Sequence, residues 1–411
     1  MLDVTLLPVS PHVSWVGVLD PGLVTFDVVM ETRYGTTYNS YFINAPKKTV
    51  VETVKAKFCE TWLSKLRQLT DLSEIDYIIL DHTEPDHSGS LGALLKLAPK
   101  ATVVGSGNAI RYLTDQLGYD FAHLVVKDGH TLDLGGMTLR FISAPNLHWP
   151  DSIYTYFQEE KILFTCDSFG EHFSSEEMFD DLAGDMDDAF RYYFDVILKP
   201  YSKFMLQAIR KIRPLEISAI CPGHGLILRR NWRKYVDLSE ELSKEALNHP
   251  AGNHVFIGYV SAYQNTKKIA EIIATGIRKE EGVDVTVADI EKFDAAFVDK
   301  ELTRSSGFIL GSPTFNQNVL MQVYQALALV NPVRDRGKLA AAFGSYGWSG
   351  EGGKIISSAM SSLKLDVMGD GLMVKFTPHE EMTLQGIEFG RNFARRLLEK
   401  CKERKTELEK D

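Results

Sequence analysis

The stretch Ile78-Ile79-Leu80-Asp81-His82-Thr83-Glu84-Pro85-Asp86-His87-Ser88-Gly89 decides how this chain is read. Asp76 to Leu80 has the composition of a buried strand, and it runs directly into two histidines and two acids. Imidazole and carboxylate groups at that density suit a pair of transition metals, and one acid could act on a bound water or oxo group. His, Asp and Glu are also common in solvated turns, so the stretch alone leaves a metal site and a polar loop both open.

Working outward, the same arrangement recurs. Leu91 to Leu97 reads as a helix after the His82–His87 loop. Met137 to Ile142 reads as a strand running into Leu147-His148-Trp149-Pro150-Asp151, Lys161 to Cys166 as a strand ending at Asp167, and Ile217 to Cys221 as a strand ending at Pro222-Gly223-His224-Gly225. Loops at the carboxyl ends of strands in α/β sheets are where ligands gather. A lone His148 or His224 reads more simply as a buried structural histidine, and Asp or Gly as a turn residue. Strand ends of this kind repeated four times point to a metal site.

Upstream, Val13 to Val18, Val24 to Met30 and Thr37 to Ile43 are short β-type runs, and Val54 to Leu66 has the spacing of an amphipathic helix. A chain of 411 residues fits two domains, possibly three, with an ordinary globular composition of 44% hydrophobic and 24% charged residues. A formal charge of −10 argues against a nucleic-acid partner, which needs a basic face. No apolar run reaches membrane-spanning length and Met1-Leu2-Asp3 does not open a signal peptide, so no membrane partner and a cytoplasmic location are expected. Cys59, Cys166, Cys221 and Cys401 lie far apart, which excludes a local thiolate cage and leaves each as a small buried apolar residue.

A boundary is expected near Asn248-His249-Pro250-Ala251-Gly252-Asn253, after a charged helix from Arg233 to Leu247; this gives domains 1–250 and 251–411. Beyond it strands and helices alternate. The strand candidates are His254 to Val260, Val283 to Ala288, Gly307 to Leu310, Leu339 to Phe343 and Leu365 to Val374. The helix candidates are Lys267 to Lys279, Leu320 to Leu329, Lys354 to Ser362 and Glu380 to Cys401, followed by an alternating-charge tail from Lys402 to Asp411. That pattern predicts a doubly wound five-stranded parallel sheet.

Three loops follow the first, third and fourth of these strands. Ser261-Ala262-Tyr263-Gln264-Asn265-Thr266 opens a helix, where hydroxyls and N–H groups suit a phosphate monoester; an ordinary N-cap at Asn265 or Thr266 reads equally well. Gly311-Ser312-Pro313-Thr314-Phe315-Asn316-Gln317-Asn318 and Gly344-Ser345-Tyr346-Gly347-Trp348-Ser349-Gly350 are glycine- and amide-rich. They could present amides to the edge of a planar ring, with Trp348 over its face. A phosphate loop followed by two ring loops fits FMN better than a dinucleotide, and there is no GxGxxG.

Taken together, these residues resemble the flavodiiron proteins, or A-type flavoproteins. The marks are Gly35 to Tyr41, His82-x-Glu84-x-Asp86-His87, Leu147 to Asp151, Asp167-Ser168-Phe169-Gly170, Pro222 to Gly225 and Phe343 to Trp348. The resemblance implies an N-terminal metallo-β-lactamase-like αββα sandwich followed by a flavodoxin-like domain. It implies His82, Glu84 and His148 on one iron, Asp86, His87 and His224 on a second, and Asp167 bridging. It places Ser261, Tyr263, Gln264, Asn265, Thr266, Pro313, Thr314, Phe315, Asn316, Ser345, Tyr346, Gly347, Trp348, Gly350 and Trp149 at FMN, and Tyr193 and His172 beside the irons in catalytic roles.

The implied activity is reduction of O2 to water or of NO to nitrous oxide, with electrons relayed through FMN. Rubredoxin or another small donor, such as a reduced deazaflavin, would act as a separate carrier, because no carboxy-terminal rubredoxin or flavin-reductase extension is read in the chain. A head-to-tail homodimer, possibly a tetramer, is implied as well. Relatives of the fold that hydrolyse substrates typically carry His where Glu84 stands and bind zinc, so Glu84 favours iron. A di-zinc hydrolase with a regulatory flavodoxin-like domain is the alternative. Three positions depart from the family pattern: Asp27 for a histidine near the irons, Asn265 for a phosphate-loop serine, and Met321 for a proline.

Overall fold

Short β-rich runs between Leu7 and Pro222 pair into two sheets, and their inward faces meet. The computed structural model describes residues 6–26, 30–247 and 253–408. The chain forms two compact units, Met1–Leu247 and Asn248–Asp411.

In the first unit one sheet runs, in spatial order, Leu7–Pro8, Val13–Trp15, Tyr41–Ile43, Lys48–Val51, Ile75–Ile79, Thr102–Gly105 and His123–Val125. The other runs Thr131–Asp133, Thr138–Ser143, Ile153–Phe157, Ile162–Cys166 and Ala219–Pro222. Trp15, Tyr41, Ile79 and Val104 of the first sheet pack on Phe141, Phe157, Phe164 and Cys221 of the second. The outer face of the first sheet is covered by Trp62 and Leu66 of helix Cys59–Leu69, Leu91 and Leu94, and Ile110 and Leu113. The outer face of the second is covered by Phe190, Tyr193, Met205, Ile209, Ile212 and Tyr235. Ile153–Phe157 and Ile162–Cys166 are buried at every position, as strands covered on both faces must be. The result is the four-layered αββα sandwich.

The second unit is a parallel sheet in the order Val283–Asp289, Asn253–Tyr259, Gly307–Pro313, Leu339–Tyr346. The fifth strand position is filled by two pieces, Asp366–Val367 and Leu372–Lys375, which pair with different parts of Leu339–Tyr346. Helices Asn265–Ile277 and Glu380–Leu408 cover one face. Ala295–Arg304, Met321–Ala328 and Gly352–Ser362 cover the other. The first pair cross with their backbones almost touching: a Cβ at Gly276 would lie 2.0 Å from the Ile387 carbonyl, and one at Gly390 would lie 2.1 Å from that of Ile273. Only glycine permits that approach.

Several elements differ from the reading of the sequence. The run Val24 to Met30 is a pair of two-residue strands, Thr25–Phe26 and Met30–Glu31, with residues 27–29, and therefore Asp27, outside the described residues. The helix expected from Val54 begins as α-helix only at Cys59, because Glu52 to Val54 is a buried segment tied to the end of the neighbouring strand. The single strand expected over Leu365 to Val374 is interrupted by a turn at Gly369 and Gly371, both at positive φ. Helices Gly107–Leu117, Ser202–Ile212 and Ala295–Arg304 are additional. Cys166 and Cys221 are buried, whereas Cys59 and Cys401 are only half-buried. The expected boundary at 248–253 lies almost wholly outside the described residues, as do the last residues of the charged tail. Among the described residues, no helix is long and apolar enough to cross a membrane.

Candidate metal centre and flavin cradle

Four strands of the first unit deliver their carboxyl-terminal loops to one place. Ile75–Ile79 carries Asp81 to His87, Thr138–Ser143 leads to His148, Ile162–Cys166 to Asp167, and Ala219–Pro222 to His224. Pro85 opens a single helical turn, Pro85–Ser88, and that turn sets Asp86 and His87 beside each other on buried backbone. The peptide bond between Leu147 and His148 is cis.

The seven side chains form two groups around Asp167. His82 Nε2 lies 3.3 Å from Glu84 Oε2 and 3.6 Å from Asp167 Oδ2, and His148 Nε2 lies 3.0 Å and 3.5 Å from the same two oxygens. On the other side, His87 Nε2 lies 3.5 Å from Asp86 Oδ2 and 3.2 Å from Asp167 Oδ1, while His224 Nε2 lies 3.0 Å and 3.6 Å from these atoms. Each oxygen of Asp167 thus faces one group. In each group the donor atoms lie within 4.8 Å of one another, the span of a single ion's coordination shell.

Three of the four imidazoles are fixed from behind by their Nδ1 atoms. His82 Nδ1 meets Asp151 Oδ2 at 3.2 Å, His87 Nδ1 meets Glu52 Oε2 at 3.3 Å, and His224 Nδ1–H donates to the Thr37 carbonyl at 2.6 Å. With Nδ1 occupied outward, Nε2 is the atom turned to the centre. Asp86 Oδ1 and Asp167 Oδ2 are buried without a hydrogen-bond partner, an arrangement that costs free energy unless a cation satisfies it.

The charges agree. Burial pushes the Asp167 carboxyl up, but His87, His82 and His148 outweigh it and hold the group well below the usual carboxylate range. Burial disfavours a charged His82 ring, yet Asp151 and Glu84 push its pKa to about 10. A proton on His82 offsets carboxylate charge that a metal would offset on displacing it.

In the second unit the loops after the first, third and fourth strands meet at the carboxyl edge of the sheet. They lie where the strand order reverses between Asn253–Tyr259 and Gly307–Pro313, the place doubly wound sheets use for ligands. Helix Asn265–Ile277 starts from Gln264 in the left-handed region, whose own side chain makes no capping hydrogen bond, so neither Asn265 nor Thr266 is the cap. Ser261 Oγ accepts from Lys267 N at 3.2 Å, and Asn265 Oδ1 accepts from Thr377 Oγ1 at 3.0 Å. Thr266 and Ser345 join the first and third loops through their hydroxyls at 2.9 Å, and Thr314 N donates to the Ser345 carbonyl at 2.8 Å. Phe315 and Asn318 exchange both backbone hydrogen bonds around Asn316 and Gln317, whose positive φ values make a two-residue primed turn.

Pro313 and Ser345 are buried at the ends of their strands, and Gly350 closes on the Tyr346 ring. Aromatic surface remains open above them. Tyr263 is 78% and Trp348 77% exposed, Tyr263 stacks on Phe315, and Gly347 leaves room beside Phe376. Trp149 belongs to the other unit, edge-on to His82 with ring centroids 5.1 Å apart.

The comparisons with known proteins agree with both halves. The family described as ODP family beta lactamase matches residues 36–225, and Flavodoxin matches residues 257–390. A type A flavoprotein of Rhodobacter capsulatus is 38% identical over 94% of this chain and 90% of its own length. A nitric oxide reductase of Moorella thermoacetica is 33% identical over 95% of this chain and 98% of its own. The solved structure of rubredoxin oxygen:oxidoreductase from the anaerobe Desulfovibrio gigas superposes with a TM-score of 0.70 at 30% identity, covering 96% of this chain and 99% of that one. The chain belongs to the flavodiiron family.

Around the candidate donors of this flavodiiron chain lie groups that touch them without joining them. Tyr193 Oη donates to Asp167 Oδ1 at 3.2 Å, and burial, then Asp167, pushes its phenol well above the usual range. His172 bonds Thr36 Oγ1 through Nδ1 at 2.8 Å, its ring 5.4 Å from that of His224; burial, then His224, lowers its pKa to about 3, so the ring is neutral. Sequence reasoning passed over Glu52 and gave Asp151 no role. A Pro-Asp two residues beyond His148 was a usable signal for Asp151. Nothing local marked Glu52, which stands 35 residues before His87.

Proposed function

We propose that this flavodiiron protein is an oxidoreductase that reduces O2 to water, or NO to nitrous oxide, at a pair of irons supplied with electrons through FMN. The observation that carries the reading is Asp167, a buried carboxylate whose two oxygens face two separate sets of donors. His82, Glu84 and His148 would hold one iron, Asp86, His87 and His224 the other, with Asp167 between them. One hard carboxylate in each set, Glu84 and Asp86, suits iron that cycles between ferrous and ferric states. When bound, the two irons supply the electrons and open coordination positions that a diatomic molecule needs.

The chain's own residues do the rest. Asp151, Glu52 and the Thr37 carbonyl keep the imidazoles pointing inward. Phe26, His172 and Tyr193 wall the His224 side, with ring centroids 5.2, 5.4 and 6.4 Å from His224, and limit water there. Tyr193 holds a proton at Oη, next to Asp167.

The flavin assignment rests on the three joined loops. The start of Asn265–Ile277, with the Ser261 hydroxyl beside its backbone N–H groups, suits a terminal phosphate, and the exposed faces of Tyr263 and Trp348 suit a planar ring. Electrons would come from a small redox protein; rubredoxin, which appears in the name of the Desulfovibrio gigas relative, is the candidate. A head-to-tail homodimer in the cytoplasm, with Trp149 facing the partner's flavin, completes the reading.

The deciding experiment is to measure iron, zinc and flavin in the purified protein and then mix the reduced protein anaerobically with O2 or NO. Two irons and one FMN per chain with rapid gas consumption are expected. Full zinc occupancy with neither gas consumed would overturn the reading and restore the di-zinc hydrolase.

A further inference from the structure

Glu52 is a buried carboxylate in an unusual place. It follows strand Lys48–Val51 with φ of 61°, the left-handed region that side-chain-bearing residues seldom occupy. Backbone held this way in a non-glycine residue is kept only where the surroundings determine it, and such positions cluster at functional sites. Here the surroundings are the loop that opened the sequence reading. Glu52 N donates to the Ile79 carbonyl at 2.9 Å, Asp81 N donates to Glu52 Oε1 at 2.6 Å, and His87 Nδ1 lies 3.3 Å from Oε2. The next residue grips the same histidine from its other end: Thr53 N donates to the His87 carbonyl at 2.9 Å and Thr53 Oγ1 donates to it as well.

The chemistry demands a carboxylate. Asp81 N–H can only donate, and His87 Nδ1 must carry a proton if Nε2 is to face a metal. Two donors therefore converge on the two oxygens of one side chain. Glutamine offers a single acceptor and would set its NH2 against one of the donors. Apart from His87, Oε2 has no partner among the described residues. A charged acceptor behind an imidazole fixes the ring and makes its far nitrogen a better ligand.

We propose that Glu52 is a positioning residue that sets how tightly the Asp86–His87–His224 group holds its iron, leaving the His82–Glu84–His148 group to Asp151. The proposal rests on the two-iron reading above and adds to it a division of labour between two buried acids.

The test is anaerobic Fe(II) titration of the full chain, FMN-loaded and stripped of metal, as native protein and as Glu52→Gln. The native chain should take up two equivalents. In Glu52→Gln one equivalent should weaken by about 10–100-fold, the usual effect of losing such a partner, while the other stays within about twofold. FMN content and melting temperature report whether the fold survives. A merely structural role would weaken both equivalents together, and that result, or two unchanged equivalents, overturns the proposal. If Glu52→Gln does not fold, Glu52→Asp keeps the charge and withdraws it from His87 by one methylene; the same single-equivalent loss is expected, and normal binding of both irons overturns it. A native chain that binds fewer than two Fe(II) refutes the two-iron reading, and the proposal with it.

Discussion

The hydroxyl of Tyr193 donates to Asp167 Oδ1, the same oxygen that faces His87 and His224. Burial raises the phenol's pKa well above 10, so the group stays protonated throughout the working range. Tyr193→Phe should keep iron and FMN and lower turnover with O2 or NO roughly tenfold, equivalent to about 1.4 kcal/mol of barrier. The pH–rate profiles of variant and native protein should run parallel up to pH 9. A phenol that ionised below pH 9 would make them diverge, which steady-state rates across pH will detect.

Replacing Asp167 by Ala removes the carboxylate shared by both groups. Iron content should fall towards zero while FMN stays at one per chain, since the three loops proposed to hold FMN belong to the other compact unit. Retention of both irons, measured by metal analysis, would contradict the bridging role.

Asp151 Oδ2 accepts from Thr83 N at 2.8 Å and Thr83 Oγ1 at 2.7 Å besides its contact with His82. Asp151→Ala leaves these buried donors unmatched, which costs roughly 1–3 kcal/mol for an orphaned group. A lower melting temperature and loss of about one iron per chain are expected together. Asp151→Asn, which keeps an acceptor, should recover part of the stability.

His172 titrates in a direction that can be read from stability. Its pKa falls from 6.5 unfolded to about 3 folded, so the unfolded chain binds the extra proton between those values. Stability then drops as pH falls through that window, by up to about 1.4 kcal/mol per pH unit for one group. Relative to His172→Leu, the native protein should lose stability between pH 6.5 and 4.5. Denaturant titrations of both proteins at several pH values give the difference directly.

Trp348 is 77% exposed and supports no core. Trp348→Ala should leave the melting temperature of the flavin-free protein nearly unchanged, as expected for a surface substitution. FMN affinity should weaken by about 3–10-fold, the worth of one aromatic face. Flavin fluorescence titration measures it.

The clustering of the candidate donors was legible because they are local to strand ends. His82, Glu84, Asp86 and His87 sit in one turn, and His148, Asp167 and His224 each follow a buried run. The doubly wound sheet was legible for a related reason, since Asn253–Tyr259 and Gly307–Pro313 each carry a buried apolar triplet, Val255 to Ile257 and Phe308 to Leu310. What stayed hidden depends on tertiary contact. Glu52 reads as one acid among many until Asp81 and His87 fold back onto it. The break in the last strand turns on positive φ at Gly369 and Gly371, and composition alone allowed one continuous strand there. The late start of helix Cys59–Leu69 follows from burial of Glu52 and Val54 against other elements, against the local periodicity.

The outward anchors of the histidines come from both halves of the sandwich. Thr37 and Glu52 belong to the segments around the first sheet, Asp151 to a loop of the second, and each holds a ring that meets Asp167 or its neighbours. A metal ion seated there is a rivet through two plates. Bound iron would therefore stabilise the alignment of the two sheets rather than either sheet alone. Iron loss, in turn, should first be felt as loosening along the seam, long before either sheet comes apart.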